Sequence, residues 1–211
     1  MKKQVCVVGI LAILVVALGA VYFLGLEFGD TFDNEGRYDS TVLNNMGVIY
    51  ANQSDISGWN NGYSESDVCP WGAVHNGLDF MFYNNSPVIS AAPGYVEDIE
   101  LGYLPNSTIY VVGVSIRFNS TLTHQYAFEG NATTAGLRDQ QVAMLDVEVG
   151  DWVVKGEQIG RFLRPTEFDH IHFAIYNPES ICPRLVMGVD DYNEIMSMIQ
   201  TFRPTWELCY P

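Results

Sequence analysis

Positive charge is scarce in this chain of 211 residues: ten Lys and Arg stand against 25 Asp and Glu, for a net charge of −15. That balance argues against nucleic acid and anionic lipid surfaces as partners, because both are held by basic patches. Charged residues are only 17% of the chain, so the acidity comes from missing Lys and Arg rather than from acidic runs. Solubility accounts for most of it. Cysteine is also sparse, with four residues and no C-x-x-C spacing, so zinc ligation by thiolates is not expected. Histidine is equally rare, at four, which makes its placement informative. Repeats and low-complexity tracts are absent.

One long hydrophobic run is present. Met1-Lys2-Lys3-Gln4 leads into an uncharged stretch from Val5 to Leu26. About 22 helical residues span a hydrocarbon core of about 30 Å. A cleaved signal peptide has a shorter apolar region, although Ala17-Leu18-Gly19 offers small residues for cleavage. The length of the run favours an uncleaved transmembrane signal-anchor over residues 1–26. Lys2 and Lys3 precede it and no basic residue follows until Arg37, so the N-terminus is expected in the cytoplasm and the rest outside. Cys6 lies inside the run. Of Cys69, Cys182 and Cys209, an oxidising compartment would join two. Cys182–Cys209 would staple the C-terminal extension, and Cys69–Cys182 would tie the approach to His75 to a late strand; the sequence leaves both open. Acceptor patterns for N-glycosylation at Asn52, Asn106, Asn119 and Asn131, with a poorer one at Asn84 before Pro87, fit an exterior glycoprotein.

Residues 27–70 are rich in Gly, Asn, Asp and Ser, without periodicity, and read as a tether and an irregular N-terminal arm. Short β-type segments follow, broken by turn residues. They include Leu78–Tyr83, Val88–Ala92 and Tyr95–Leu101. Thr108–Phe118 and Thr123–Phe128 form a predicted hairpin around Asn119. Trp152–Val154 and Gln158–Leu163 flank a turn at Lys155-Gly156, and Ile171–Tyr176 comes last. The pattern predicts an all-β protein, a compact antiparallel sheet or sandwich over residues 71–177. A C-terminal extension, 178–211, carries the single expected helix. Asp190 or Asp191 would cap it, and Ile195, Met198, Ile199 and Phe202 lie at helical spacing.

Three of the four histidines fall in two short motifs, His75-Asn76-Gly77-Leu78-Asp79 and His170-Ile171-His172. A single histidine in an apolar stretch is ordinarily just packed. Two imidazoles at i and i+2 share one face of a strand, however, and His75 and Asp79 at i and i+4 do so too. Two imidazoles and a carboxylate are a zinc-type ligand set with a fourth position open.

These motifs resemble those of the lysostaphin and LytM-type zinc metallopeptidases, the M23 family. His75 to Asp79 looks like its H-x-G-x-D motif. Pro87 to Val96 resembles a β-hairpin motif. Val147-Glu148-Val149-Gly150-Asp151-Trp152 through Gly160 resembles a V-G-D-V segment, and His170-Ile171-His172-Phe173 an H-L-H-F motif. They stand in family order over roughly half the chain. The resemblance implies the LytM-type fold (a duplicated hybrid motif), with His75, Asp79 and His172 as Zn(2+) ligands and His170 as a catalytic base or donor. Two features depart from the pattern. In the Tyr-x-His segment that supplies a second catalytic histidine, Phe128 stands at the histidine position, with His124 four residues earlier as a weak substitute. The loop before His170 lacks glycine and carries Arg161 and Arg164, candidate cations for a carboxylate. The resemblance thus implies a membrane-anchored extracellular zinc metallopeptidase hydrolysing amide bonds of cell-envelope peptides or proteins. The alternative is a non-catalytic, zinc-retaining domain that binds or scaffolds in the envelope.

Overall fold

The computed structural model describes residues 43–104, 107–131 and 136–211. The predicted anchor, the tether up to residue 42, and Asn106 lie outside the described residues. The protein is mostly β, with one curled antiparallel sheet and few helices. Its strands in chain order are β1 (Ile56–Trp59), β2 (Tyr63–Ser64), β3 (Leu78–Phe82), β4 (Pro87–Ile89), β5 (Gly94–Tyr103), β6 (Ile109–Arg117), β7 (Thr123–Asn131), β8 (Trp152–Val153), β9 (Gln158–Arg161), β10 (His170–Asn177), β11 (Glu179–Ile181) and β12 (Cys209–Tyr210). The main sheet has eight strands in the order β1-β3-β10-β7-β6-β5-β8, with β11 beside β10. Two ribbons, β4–β9 and the parallel pair β2–β12, complete the β structure.

The expected hairpin forms as β6 and β7, paired without a register break from Arg117–Thr123 to Ile109–Asn131. Its turn is set by Asn119, whose Oδ1 accepts the backbone N–H groups of Thr121 and Leu122. Such a side-chain turn is what asparagine provides when it mimics a backbone carbonyl. Alternation then divides the sheet into two faces. Tyr110, Val112, Val114 and Ile116 of β6, and Ile171, Phe173 and Ile175 of β10, are buried in the core. Their neighbours point to the opposite, open face.

The irregular arm is part of this core from residue 43 onward. Leu43, Met46, Ile49, Tyr50, Ile56 and Trp59 are all buried. Lone bridges, Met46 to Met187 and Tyr50 to Val88, hold the segment before β1 joins β3. Packing by isolated contacts leaves no period to read. Helix α1 (Leu137–Val142) was not expected; six residues are too few for a 3.6-residue repeat to show. Helix α2 (Val189–Phe202) is the predicted C-terminal one, and it buries Ile195, Met196, Met198 and Ile199. Its N-cap is Gly188 rather than either aspartate. Asp190 and Asp191 lie in the first turn, where their charge suits the helix dipole, and Asp191 pairs with Lys155 at 2.8 Å. Of the two disulfides the sequence allowed, Cys182–Cys209 forms, and Cys69 is free.

Candidate metal centre

Two neighbouring strands and the loop before one of them build the centre. On β10, His170 and His172 face the open side, while Ile171 and Phe173 between and beyond them are buried. Strand β3 lies antiparallel to β10 and sets Asp79 directly across from His172. His75 is placed by a bridge to Ser64 just before β3 begins. The three side chains offer ligand atoms that all lie within 4.8 Å of one another. His172 Nδ1 is 2.9 Å and His75 Nε2 3.2 Å from Asp79 Oδ1. A tetrahedral zinc ion with bonds of about 2.0–2.1 Å sets its ligand atoms about 3.3 Å apart. The donor set and its spacing therefore fit a metal of that kind.

A second layer orients these groups. The Nδ1–H of His75 donates to the Gly62 carbonyl at 2.7 Å, which turns Nε2 toward Asp79. Asn60 and Asn61 both donate from their side-chain amides to Asp79 Oδ2, at 3.3 and 3.1 Å, leaving Oδ1 for the histidines. Partners of this kind fix ligand geometry in metal sites. Gly77 is also required: a Cβ there would lie 2.6 Å from the His172 ring and from the Phe173 carbonyl oxygen. Burial opposes the charge of Asp79, which is 2% exposed. The bonds with His172 and His75 and the nearby His170 outweigh that cost and hold its carboxyl well below the usual range. Burial likewise works against protonated His75, but Asp79 prevails and raises it.

His170 stands beside the cluster. Its Nδ1–H donates to the Phe168 carbonyl at 3.1 Å, and Nε2 lies 3.6 Å from Asp79 Oδ1 and 3.5 Å from Glu129 Oε2. The expectation for β7 needs correction. Phe128 pairs with Ile171 and, like it, is fully buried on the core side. It does not occupy a position in the site. The residues of β7 that face the site are Ala127, opposite His172, and Glu129, opposite His170. His124 shares the parity of Phe128, so it too is fully buried and turned away from the cluster. Its Nδ1 meets the Tyr126 hydroxyl at 3.1 Å, and burial pushes its pKa down to about 3. No bulge turns it toward the cluster, because β7 pairs in continuous register with both neighbours.

Glu129, Asn60 and Asn61 went unnoticed in the sequence because nothing in their spacing links them to a histidine motif. Burial raises the Glu129 carboxyl, while His170 and His172 pull the other way. The two arginines singled out before His170 tie this stretch to its neighbours in the fold. Arg164 donates to Ser57 Oγ and to the carbonyls of Thr166 and Glu167, and Arg161 donates to the Asn85 carbonyl. The cluster opens into a groove of about 580 Å³ across β5, β6, β7 and β10. Its floor includes Ala127, Gly113 and Gly102, its polar groups include Glu100 and Glu129, and among the described residues no Lys or Arg lines it.

No family model and no curated protein matches the chain. Solved structures of M23 peptidases do match it, at low identity. The catalytic domain of the prophage-encoded M23 protein EnpA from Enterococcus faecalis is 15% identical; 59% of this chain and 86% of that chain are covered, with a TM-score of 0.42. Lysostaphin from Staphylococcus simulans is 18% identical, with 74% of this chain and 55% of that chain covered and a TM-score of 0.42. Csd3 from Helicobacter pylori is 23% identical over 72% of this chain and 38% of that chain, with a TM-score of 0.46. The chain thus spans little more than half of lysostaphin and less than half of Csd3. Four ordered sequence motifs resemble those of the M23 peptidases, and M23 peptidases are among the solved structures that match this chain.

Proposed function

We propose that this protein is a zinc-dependent peptidase that hydrolyses amide bonds in peptides or proteins of the cell envelope, built on the LytM-type fold. The observation that carries the reading is the convergence of His75 Nε2, His172 Nδ1 and Asp79 Oδ1, with His170 alongside and a groove leading in. Those three atoms would hold the ion. A zinc ion bound there would polarise the scissile carbonyl and ease deprotonation of water. The protein's own residues supply the rest. Ala127, Gly113 and Gly102 leave the floor low enough for an extended peptide backbone. His170 Nε2 faces the cluster, placed to hold or donate a proton at the oxygen where negative charge develops. The lack of Lys and Arg among the described residues along the groove suits a neutral or cationic peptide rather than an anionic polymer.

A zinc-retaining domain without catalysis is the second reading. One observation favours it: the open face carries no histidine on β7 where the family's second catalytic histidine would be expected. Anchoring by residues 1–26, with the domain outside, is part of the proposal; resistance of the full-length protein to alkali extraction from membranes would support it.

His172→Ala tests the site. The wild type should carry about one zinc per chain and cleave members of a peptide library, and the variant should lose both. Full zinc in a folded variant would remove His172 from the ligand set. A zinc-loaded wild type that cleaves nothing would select the non-catalytic reading.

A further inference from the structure

We propose that Glu129 is the second proton-carrying residue of this site, doing with a carboxylate what a second histidine would otherwise do. The proposal rests on the peptidase reading above. Strand register is its foundation. Glu129 is the direct cross-strand partner of His170, and directly opposed side chains on one face are about 4.5–5.5 Å apart at Cβ. Its Oε2 lies 3.5 Å from His170 Nε2. That separation is longer than a finished hydrogen bond, as expected of a catalytic pair before substrate arrives.

Its surroundings are not those of a surface acid. The side chain is only 14% exposed, and it lines the groove with His170 and His172. Its ion-pair partner among the described residues is His170, with no Lys or Arg to satisfy it. A partly buried carboxylate that lines a cleft beside an imidazole, rather than pairing with a Lys or Arg, is placed to exchange a proton. The next site-facing residue on β7 is Ala127, and Gly113 of β6 lies beside that, so space for a reacting group opens next to Glu129.

The chemistry balances without further reagents. A water molecule bonds through oxygen to the scissile carbonyl carbon and gives one proton to the Glu129 carboxylate. Glu129 then passes that proton to the amide nitrogen as the carbon–nitrogen bond breaks. A carboxylic acid and an amine leave, and Glu129 is again ionised. His170 meanwhile stabilises the oxyanion.

The experiment compares the full-length wild type with Glu129→Gln, Glu129→Ala and Glu129→His on a peptide that the wild type cleaves. Glutamine keeps the size and polarity but cannot take up a proton from water and pass it on, so kcat should fall about 10²–10³-fold with KM within about threefold. Histidine should recover at least about tenfold over alanine. Zinc content, and zinc affinity by chelator competition, should match the wild type in all three. Undiminished kcat in Glu129→Gln would overturn the proposal. So would a parallel loss of zinc affinity, which would make Glu129 a support for the ligands. A zinc-loaded wild type that cleaves no peptide would defeat the peptidase reading and this proposal together, an outcome distinct from an active wild type with an equally active Glu129→Gln.

Discussion

Neighbouring residues of β7 live in different solvents. His124, Tyr126 and Phe128 are fully buried among the core side chains, whereas Gln125, Ala127 and Glu129 line the groove. The contrast is sharpest between two histidines. His172 on β10 is half-buried on the open face and held by Asp79; His124 on β7 is sealed inside and neutral, its pKa pushed down to about 3 by burial. A side chain that looks chemical in a motif acquires its role from strand parity. One residue's shift in register would exchange the two sets.

The largest effect that tests this contrast is expected at Phe128. Replacing it with alanine should cost about 3–5 kcal/mol of stability, because it is fully buried against Phe162 and Ile171. Urea unfolding would measure this, and the folded fraction should bind added zinc as tightly as the wild type. Phe128→His should also destabilise, by placing a polar ring in the core, and should not raise peptidase activity. A gain in activity would mean that residue 128 reaches the site, and the parity assigned to β7 would be wrong.

His124 comes next. Its folded-state pKa of about 3 lies below its ordinary 6.5, so below pH 6.5 the unfolded chain takes up a proton that the folded one refuses. The stabilisation tied to the neutral ring is complete above pH 6.5 and is lost as pH falls toward 3. At one unit per 1.36 kcal/mol, about 3 kcal/mol should be gone by roughly pH 4.5. His124→Leu removes the proton site. The stability difference between variant and wild type should therefore shift in the variant's favour by about that amount between pH 7 and pH 4.5. A pH-independent difference in urea unfolding would show that His124 can be protonated in the folded protein.

The part of the site legible in the sequence was the part written in ligand chemistry. Few residue types bind zinc, and their spacing on strands is short, so His75, Asp79, His170 and His172 stood out and the fold brings them together. The antiparallel sheet was legible for a similar reason: alternation and turn residues such as Asn119 are local signals. Parity was not legible on β7. Tyr126 and Phe128 resemble a motif, yet only pairing with β10 and β6 shows which face they take. Glu129 was missed for the same reason. Asn60 and Asn61 lie 19 and 18 residues before Asp79, in a stretch that reads as irregular because its order comes from tertiary contacts. The packing of residues 43–59 and the choice of Cys182–Cys209 also depend on which segments meet in space.

The smallest expected effect probes that unread layer. Asn61 donates to Asp79 Oδ2 at 3.1 Å, and Asn60 donates to the same oxygen at 3.3 Å. Neither touches the atom that faces the histidines. Asn61→Ala should leave the core intact, with stability changed by about 1 kcal/mol or less, since one half-buried hydrogen bond is lost. Zinc affinity should nevertheless fall about tenfold, because the carboxylate can swing once one of its two supports is gone. Chelator competition on the variant beside the wild type reads this directly. The outcome separates the two faces of the molecule: core changes such as Phe128→Ala should move stability and spare zinc affinity, while Asn61→Ala should do the reverse. Equal affinity in Asn61→Ala would mean that Asn60 and the strand pairing of Asp79 with His172 suffice to aim the carboxylate.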